Sequence, residues 1–102
     1  MMTEADDKTD FEALCDALLT LRDAGDAERY LRDLLTPGEI KTLSERWRVA
    51  RLLAEGGHSY REISELTGAS TTTVTRVARF LSQEPHQGYR MVLERLRNDS
   101  DD

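Results

Sequence analysis

Residues 59–81 read SYREISELTGASTTTVTRVARFL, and this stretch decides the fold of the chain. Ser59 and Glu62 have the spacing of a capping box, in which a hydroxyl and a carboxylate satisfy free amide groups at the start of a helix. Gly68 suits a sharp turn after that helix, because glycine tolerates a positive φ. Apolar residues then recur at helical spacing up to Leu81. The stretch therefore predicts two short helices joined by a glycine turn.

The composition of the second helix favours binding to duplex DNA. Ser70 or Thr71 can cap this helix. Threonine is a mediocre helix former, so the run 71–73 and Thr75 suit contacts with phosphates and base edges better than they suit helix stability. Together the two helices have the pattern of a helix-turn-helix, over about residues 59–82, whose second helix lies in the major groove. An ordinary αα-hairpin with a polar surface is the alternative, because short matches to this motif are common.

The charge of the chain is unevenly distributed. A net charge of −6 over 102 residues by itself argues against a partner as acidic as DNA. However, residues 1–40 carry a net charge of −7, residues 41–97 carry +4, and residues 98–102 carry −3. The part of the chain that contains the motif is therefore basic, which indicates one surface for nucleic acid. A solvated surface of mixed charge would account for many of the same residues.

Other classes of protein find little support in the sequence. Cys15 is the single cysteine, which excludes an internal disulfide and fits a reducing cytoplasm. No run of 18 apolar residues predicts a membrane span, and the acidic N-terminus is unlike a signal peptide. His58 and His86 have no partner at metal-ligand spacing, so no metal site is predicted. No spacing indicates a catalytic triad or a phosphate-binding loop, so we do not expect an enzyme.

The composition predicts one helical domain between two acidic tails. Residues 1–9 are predicted to be disordered, the helical domain covers residues 10–97, and residues 98–102 form the second tail. Hydrophobic residues make up 38% of the chain, a small share for a domain of this length that folds alone. We therefore expect a dimer that shares its core.

The remaining elements are all predicted to be helices. The first is expected at about residues 11–24, with Gly25 ending it and Asp26 capping a short second helix. The sequence TPGE at 36–39 is a typical helix start, with a threonine cap, a proline in the first turn and a glutamate three residues after the cap. That third helix is expected to reach about Glu55. With the motif helices and a last helix near the C-terminus, the sequence predicts an all-α fold of six helices.

Four short motifs follow one another along the chain: LLTPGE at 34–39, RWR at 46–48, LTGA at 66–69 and TVTR at 73–76. In this order and spacing the chain resembles the Trp repressor superfamily, and most of all its YerC/YecD branch, over roughly residues 11–97. The resemblance implies an intertwined homodimer in which the N-terminal helices and the last helix of each chain interlock. It also implies a double-stranded DNA operator with two half-sites about one helical turn apart.

The resemblance also implies which residues face the DNA. In the family, the start of the first motif helix and the first turn of the second meet the duplex. Arg61 is a candidate for a base contact, because a guanidinium can bind guanine bidentately; the alternative is a surface pair with Glu65. For Arg79 and Arg90, a solvated position and a phosphate contact are both open. The predicted DNA-binding residues are Tyr60, Arg61, Ser64, Thr71, Thr72, Thr73, Thr75 and Arg76.

The tryptophan pocket of the sensing repressors is altered in this sequence. In those proteins the indole lies between two arginines that match Arg46 and Arg76, and a threonine that matches Thr36 lines the same pocket. This chain has Val77 where they have a glycine that leaves room for the indole, and Phe80 where a serine helps to hold the ligand. We expect both side chains to fill the pocket, so no tryptophan co-repressor and no other cofactor is predicted. Arg46 and Arg76 then become structural or DNA-facing.

The sequence leaves two functions open. The first is a sequence-specific transcriptional regulator, a repressor by its resemblance, that binds double-stranded DNA as a homodimer. The second is a helical dimer that binds other proteins, as an adaptor or an antitoxin-like module, with weak or no DNA binding. The acidic N-terminal third keeps the second function open.

Overall fold

A computed structural model of the protein describes residues 4–100, with side chains described for residues 7–99. The described residues form six α-helices and no strand. The predicted all-α fold of six helices is therefore confirmed. The helices are α1 Glu4–Leu18, α2 Ala24–Leu34, α3 Pro37–Glu55, α4 Tyr60–Thr67, α5 Thr71–Ser82 and α6 Gly88–Ser100.

The chain divides into two compact units, Met1–Ile40 and Lys41–Asp102. The single domain over residues 10–97 that the sequence predicts stays a prediction. The N-terminal tail predicted to be disordered overlaps the first helix. Because α1 begins at Glu4, residues 4–9 of the tail predicted to be disordered are helical, and residues 1–3 lie outside the described residues. The helix dipole stabilises an acidic residue near the start of a helix, such as Asp7, which favours a start of α1 before residue 10.

The C-terminal tail predicted at residues 98–102 also overlaps a helix. The last helix continues to Ser100, and residues 101–102 lie outside the described residues. A basic residue in the last turn, Arg97, has the charge that the C-terminal end of a helix dipole favours. The acidic composition of this segment therefore predicts its charge and not its conformation.

The boundary between α1 and α2 is also different from the prediction. α1 ends at Leu18, and Gly25 lies in the first turn of α2 instead of ending α1. Asp23 is the N-cap of α2, where its carboxylate accepts a hydrogen bond of 2.8 Å from the amide of Asp26. Asp26 in turn accepts a bond of 3.1 Å from the amide of Arg22. The predicted cap at Asp26 is wrong because the aspartate three residues earlier already satisfies that end of the helix.

The start of α3 has the predicted capping box. The hydroxyl of Thr36 accepts a bond of 3.1 Å from the amide of Glu39, and the carboxylate of Glu39 accepts one of 2.9 Å from the amide of Thr36. The backbone bond from Thr36, followed by the bond to its side chain, lowers the pKa of Glu39 below its ordinary value. These local bonds fix where the long helix that enters the second unit begins.

The second unit has a small apolar core beneath the helix-turn-helix. α3 contributes Val49 and Ala50 to it, and fully burying a side chain of valine size contributes about 1.5–3 kcal/mol. Trp47 and Tyr89 pack against this core and stack on each other with ring centroids 6.3 Å apart. Because the motif supplies the other members, its two helices are held at a fixed position on α3. These members are Ile63 from α4, Ala69 from the turn, and Val74 and Val77 from α5.

Candidate nucleic-acid interface

The first helix of the motif, α4, begins with the predicted capping box. The Ser59 hydroxyl accepts a bond of 3.1 Å from the amide of Glu62, and the Glu62 carboxylate accepts one of 3.2 Å from the amide of Ser59. The backbone and side-chain bonds from Ser59 lower the pKa of Glu62, and nearby His58, with Nδ1 3.9 Å from the carboxylate, adds a smaller effect in the same direction. The box fixes the first turn of α4, where Tyr60 and Arg61 lie.

The turn between the helices is closed by a short network of hydrogen bonds. Gly68 has φ +79° and ψ −5°, a left-handed conformation, and its amide donates to the carbonyl of Ser64 at 3.0 Å. The Ser64 hydroxyl donates to the carbonyl of Ala69 at 2.6 Å. The Thr67 hydroxyl donates to the carbonyl of Ile63 at 2.8 Å and accepts from the amide of Ala69 at 3.1 Å. These bonds set the direction in which the second helix leaves the turn.

Ser70 caps the second helix, which settles the choice between Ser70 and Thr71. The Ser70 hydroxyl accepts a bond of 3.1 Å from the amide of Thr73, and the two hydroxyl oxygens lie 3.0 Å apart. Thr73 is half-buried, and the contact between the two hydroxyl groups makes its side chain part of the cap. A predicted DNA-binding residue therefore also has a structural role in the first turn of α5.

One face of α5 is exposed and polar, while the opposite face is buried. Val74 and Val77 are buried in the core. Thr71, Thr72 and Thr75 are exposed, and the Thr75 hydroxyl donates to the carbonyl of Thr71 at 2.9 Å. The amphipathic spacing therefore directs hydroxyl and methyl groups away from the protein at the first turns of α5, where a helix-turn-helix meets the bases.

The predicted DNA-binding residues fall into two groups. The half-buried ones, Ser64 and Thr73, direct their hydroxyl groups toward the turn and the cap. Arg61 has a side chain that is 88% exposed, with its Nε 3.5 Å from Oε1 of Glu65. An exposed pair of this kind holds the guanidinium only weakly. The exposed residues on α4 and α5 are Tyr60, Arg61, Thr71, Thr72, Thr75 and Arg76.

Two further arginines are placed near the C-terminal end of α5. The guanidinium Nε of Arg79 lies 2.9 Å from Oε1 of Glu84. Arg90, on α6, donates from Nε to the carbonyl of Leu81 at 3.1 Å, which ties α6 to the end of α5. The spacing within α5 does not predict the contact with Glu84, because Glu84 lies beyond the end of the helix. Sequence reasoning missed the acidic partner of Arg79 for this reason.

A family model described as Trp repressor protein matches residues 9–97 of the chain. The chain belongs to the Trp repressor family. The uncharacterized protein YerC of Bacillus subtilis (strain 168) is 39% identical to it over 88 residues, which are 86% of this chain and 83% of that protein. A Trp operon repressor homolog of Chlamydia trachomatis serovar L2 is 39% identical over 64 residues, which are 59% of this chain and 68% of that protein.

The fold agrees with that of a solved relative. The crystal structure of a TrpR like protein from Eubacterium eligens ATCC 27750 has a TM-score of 0.76 and 41% sequence identity, over 92% of this chain and 90% of that one. The predicted resemblance to the Trp repressor superfamily and its YerC branch is thus confirmed. As a class, Trp repressor family proteins are DNA-binding regulators and not enzymes.

The positions that match the tryptophan pocket have separate roles in this member of the Trp repressor family. The Arg76 guanidinium carbon lies 4.4 Å from the centre of the Phe80 ring, in a cation–π contact. Val77 is buried in the core. Thr36 caps α3 in the N-terminal unit. Arg46 is half-buried, and its Nε is buried without a hydrogen-bond partner among the described residues.

A largely apolar cleft of about 500 Å³ lies next to the contact between Arg76 and Phe80. Trp47, Tyr89 and Val92 also line it. Val77 is not among the lining residues, so Phe80 occupies the edge of the cleft while Val77 fills the core. The expectation that the two side chains fill one pocket together therefore differs from the structure. Val77 and Phe80 are three residues apart, so their side chains point about 60° apart around α5; that offset places Val77 in the core and Phe80 at the edge of the cleft.

The described part of the chain shows two further absences. None of the helices between Glu4 and Ser100 is long and apolar enough to cross a membrane. Within the same residues, no cluster of three or more histidine, cysteine, aspartate or glutamate side chains is placed to hold a metal ion.

Proposed function

We propose that the chain is a sequence-specific transcriptional repressor that binds double-stranded DNA as a homodimer through α4 and α5. One observation carries the proposal: the left-handed turn at Gly68 joins two capped helices, and α5 buries Val74 while it exposes Thr71 and Thr72. This is the arrangement in which a helix-turn-helix places its second helix in the major groove. The cytoplasmic location expected from the sequence stays a prediction.

Exposed apolar side chains support the homodimer. Phe11 is 66% exposed and Leu19 is 84% exposed, although both are large hydrophobic residues. Surfaces of this kind mark sites of association, because water is released when they are covered. Light scattering should therefore give twice the mass of the 11.6 kDa chain, and a monomer at micromolar concentration would contradict the proposal. Other exposed apolar residues are Leu18, Leu34, Leu43, Leu66, Met91, Val92 and Leu96.

DNA binding can be tested through Arg61. Selection from a random-sequence duplex library gives the operator, and fluorescence anisotropy then gives the affinity for it. Arg61→Ala should weaken operator binding by about 1–3 kcal/mol and relax the preference at one base pair. The fold should be retained, because the exposed pair with Glu65 contributes a few tenths of a kcal/mol at most. Arg95→Ala, which removes the same charge from exposed α6, is the matched control.

The dependence of affinity on salt separates regulation from protein binding. Contacts to phosphates release counterions, so the affinity for DNA must fall as salt rises. Failure to bind DNA at low salt, or binding that ignores salt, would contradict the repressor and favour a dimeric protein-interaction module. The acidic first unit, with its exposed Phe11 and Leu19, would then be the surface to examine.

We further propose that this repressor acts without tryptophan as co-repressor. The contact with Phe80 already covers one face of the Arg76 guanidinium, and Phe80 lines the cleft beside it. Isothermal titration calorimetry with tryptophan should show no saturable heat. Saturation at about 1 mM ligand or below, equivalent to about −4 kcal/mol or tighter, would overturn this part of the proposal.

A further inference from the structure

A groove of about 280 Å³ runs between the start of α4 and the second half of α5. We call it the Arg79 groove. It begins beside two residues of the predicted DNA-binding set, Tyr60 and Thr75, and continues past them toward the end of α5. Its lining residues are Tyr60, Thr75, Ala78, Arg79, Ser82 and Gln83.

Arg79 is the one charged residue among the described lining residues of the Arg79 groove, and its ion-pair partner Glu84 lies outside that lining. Two other grooves of the described chain are different, whereas the cleft beside Phe80 likewise has an arginine, Arg76, and no carboxylate in its lining. In the groove of the first unit, Asp26 and Asp33 outweigh a single arginine. In the groove that joins the end of α3 to α6, two glutamates balance two arginines. The lining of the Arg79 groove therefore has no carboxylate to repel an anion, in contrast to those two grooves.

Both hydrogen-bond donors and acceptors line the groove. The hydroxyl hydrogens of Thr75 and Ser82 are donated to backbone carbonyls, at 2.9 Å and 2.8 Å. Tyr60 and Gln83 have no side-chain hydrogen bond among the described residues, so a phenol hydroxyl and an amide NH₂ remain beside the guanidinium of Arg79. The free donors of Tyr60, Gln83 and Arg79 match a ligand that accepts hydrogen bonds and carries negative charge, and a phosphodiester group has both properties.

Glu84 holds Arg79 from outside the groove. Its Oε1 lies 2.9 Å from the Nε of Arg79 in an ion pair, and its side chain is 27% exposed. Glu84 does not line the groove. Arginine has five N–H donors in a rigid fork, so the four on the terminal nitrogens remain for another partner. Holding Nε in place also reduces the rotamer freedom that Arg79 would lose on binding.

We infer that the Arg79 groove binds a backbone phosphate of DNA, with Arg79 as the ionic contact and Glu84 as the residue that positions it. The inference rests on the proposed DNA-binding function and adds a contact beyond the predicted residues. Thr72, Thr75 and Arg79 recur at spacings of three and four, so they lie along one side of α5. The duplex surface therefore extends from the first turn of α5 to its last.

The phosphate contact is tested with mixed-sequence DNA, because backbone contacts do not depend on sequence. The probe is a fluorescent duplex of about 30 base pairs, long enough for two half-sites. Arg79→Gln should reduce the slope of log affinity against log salt by about one, measured between about 50 and 200 mM salt. Arg95→Gln, which removes an equal charge on α6, should change the slope less. Equal slopes for Arg79→Gln and the unaltered protein, or for the two variants, would overturn the inference.

Tyr60→Phe provides a second variant that keeps the ring and its packing. Loss of the phenol hydroxyl should weaken binding about two- to fivefold, the equivalent of one ordinary hydrogen bond, and leave the salt slope unchanged. Circular dichroism confirms that each variant is folded. Unchanged affinity for Tyr60→Phe together with an unchanged slope for Arg79→Gln would exclude a phosphate in the groove.

Replacing Glu84 tests whether it positions Arg79 or only repels the DNA, because the two roles predict opposite changes in the affinity for DNA. Removing a carboxylate from a DNA-binding protein ordinarily raises its affinity, because repulsion of the phosphates is reduced. If Glu84 positions Arg79, Glu84→Gln should instead weaken binding by about two- to fivefold, the range of an exposed to half-buried pair. Glu94→Gln, an equal charge change on α6, should leave affinity unchanged or raise it.

Tighter binding by Glu84→Gln would overturn its positioning role. The inference and the proposed function fail in different ways. An unaltered protein that binds no DNA at low salt removes both. Normal binding by the unaltered protein, with Arg79→Gln indistinguishable from it, removes only the Arg79 groove.

Discussion

Replacing Gly68 tests the turn that orients the reading helix. Gly68 has φ +79° and ψ −5°, a region where a residue with a Cβ costs about 1–2 kcal/mol because that atom approaches its own backbone. Crowding by neighbouring side chains does not add to this cost, because a Cβ built at Gly68 would have Oε1 of Glu45 as its nearest neighbour, at 4.0 Å. That distance is ordinary van der Waals contact. Gly68→Ala should therefore lower the free energy of unfolding by the backbone strain alone, about 1–2 kcal/mol.

Urea unfolding followed by circular dichroism measures this loss, and two variants make the assignment specific. Gly68→Asn should lose less than Gly68→Ala, because asparagine tolerates the left-handed region better. Gly88→Ala is the control: Gly88 begins α6 without a positive φ, and a Cβ there meets nothing within 4 Å. It should be neutral or stabilising by up to about 1 kcal/mol. If Gly68→Ala proves as stable as Gly88→Ala, the left-handed turn and the helix orientation derived from it are wrong.

Three other perturbations have defined outcomes. Ile63→Ala should lower the free energy of unfolding by about 2–5 kcal/mol in urea, because Ile63 is fully buried; a loss below that of an exposed residue would exclude the core described here. Ser64→Ala should cost about 1 kcal/mol through its lost bond to Ala69 and leave the affinity for DNA unchanged, whereas weaker binding by the folded variant would reveal a DNA contact. The capping boxes lower the pKa of Glu39 and of Glu62, so their stabilisation is complete above the ordinary glutamate value of about 4.3 and is lost as the pH falls through the lowered values. In urea titrations from neutral to acidic pH, the double variant Glu39→Gln/Glu62→Gln should show a shallower loss of stability below about pH 4, and a loss as steep as that of the unaltered protein would contradict this origin.

The elements that the sequence predicts well are those set by neighbours three or four residues apart. The boxes at Ser59 and Thr36 and the turn at Gly68 are of this kind, since each bond joins groups that the chain already places together. The start of α2 is also set by bonds between near neighbours, but two aspartates there are each able to be the N-cap. Both Asp23 and Asp26 are good caps by type, and only the geometry shows that Asp23 reaches the amide of Asp26.

The exposed face of α5 follows from the helical period, but the hydrogen bonds of its side chains do not. Ser64 and Thr73 are predicted as DNA-binding residues by position, and their hydroxyls lie against the turn and the cap. A hydroxyl can serve either partner, and the choice depends on backbone groups that the sequence does not locate. The bond between Arg79 and Glu84 depends in the same way on the path of the chain after α5 ends.

Arg76 and Phe80 are separated by four residues, so their contact could have been predicted from the helix alone. The contact contributes about 0.5–1 kcal/mol at an exposed site, so a ligand that binds Arg76 more strongly would displace the ring. The buried Val77 adds no barrier inside the cleft, because it faces the core. The proposed independence from tryptophan therefore depends on what Phe80 removes: the serine hydroxyl that helps to hold the ligand in the sensing repressors is replaced by a ring that offers no hydrogen bond. The cleft beside Phe80 has a volume of about 500 Å³ and a largely apolar lining, so the proposal rests on the missing hydroxyl and not on a filled cleft.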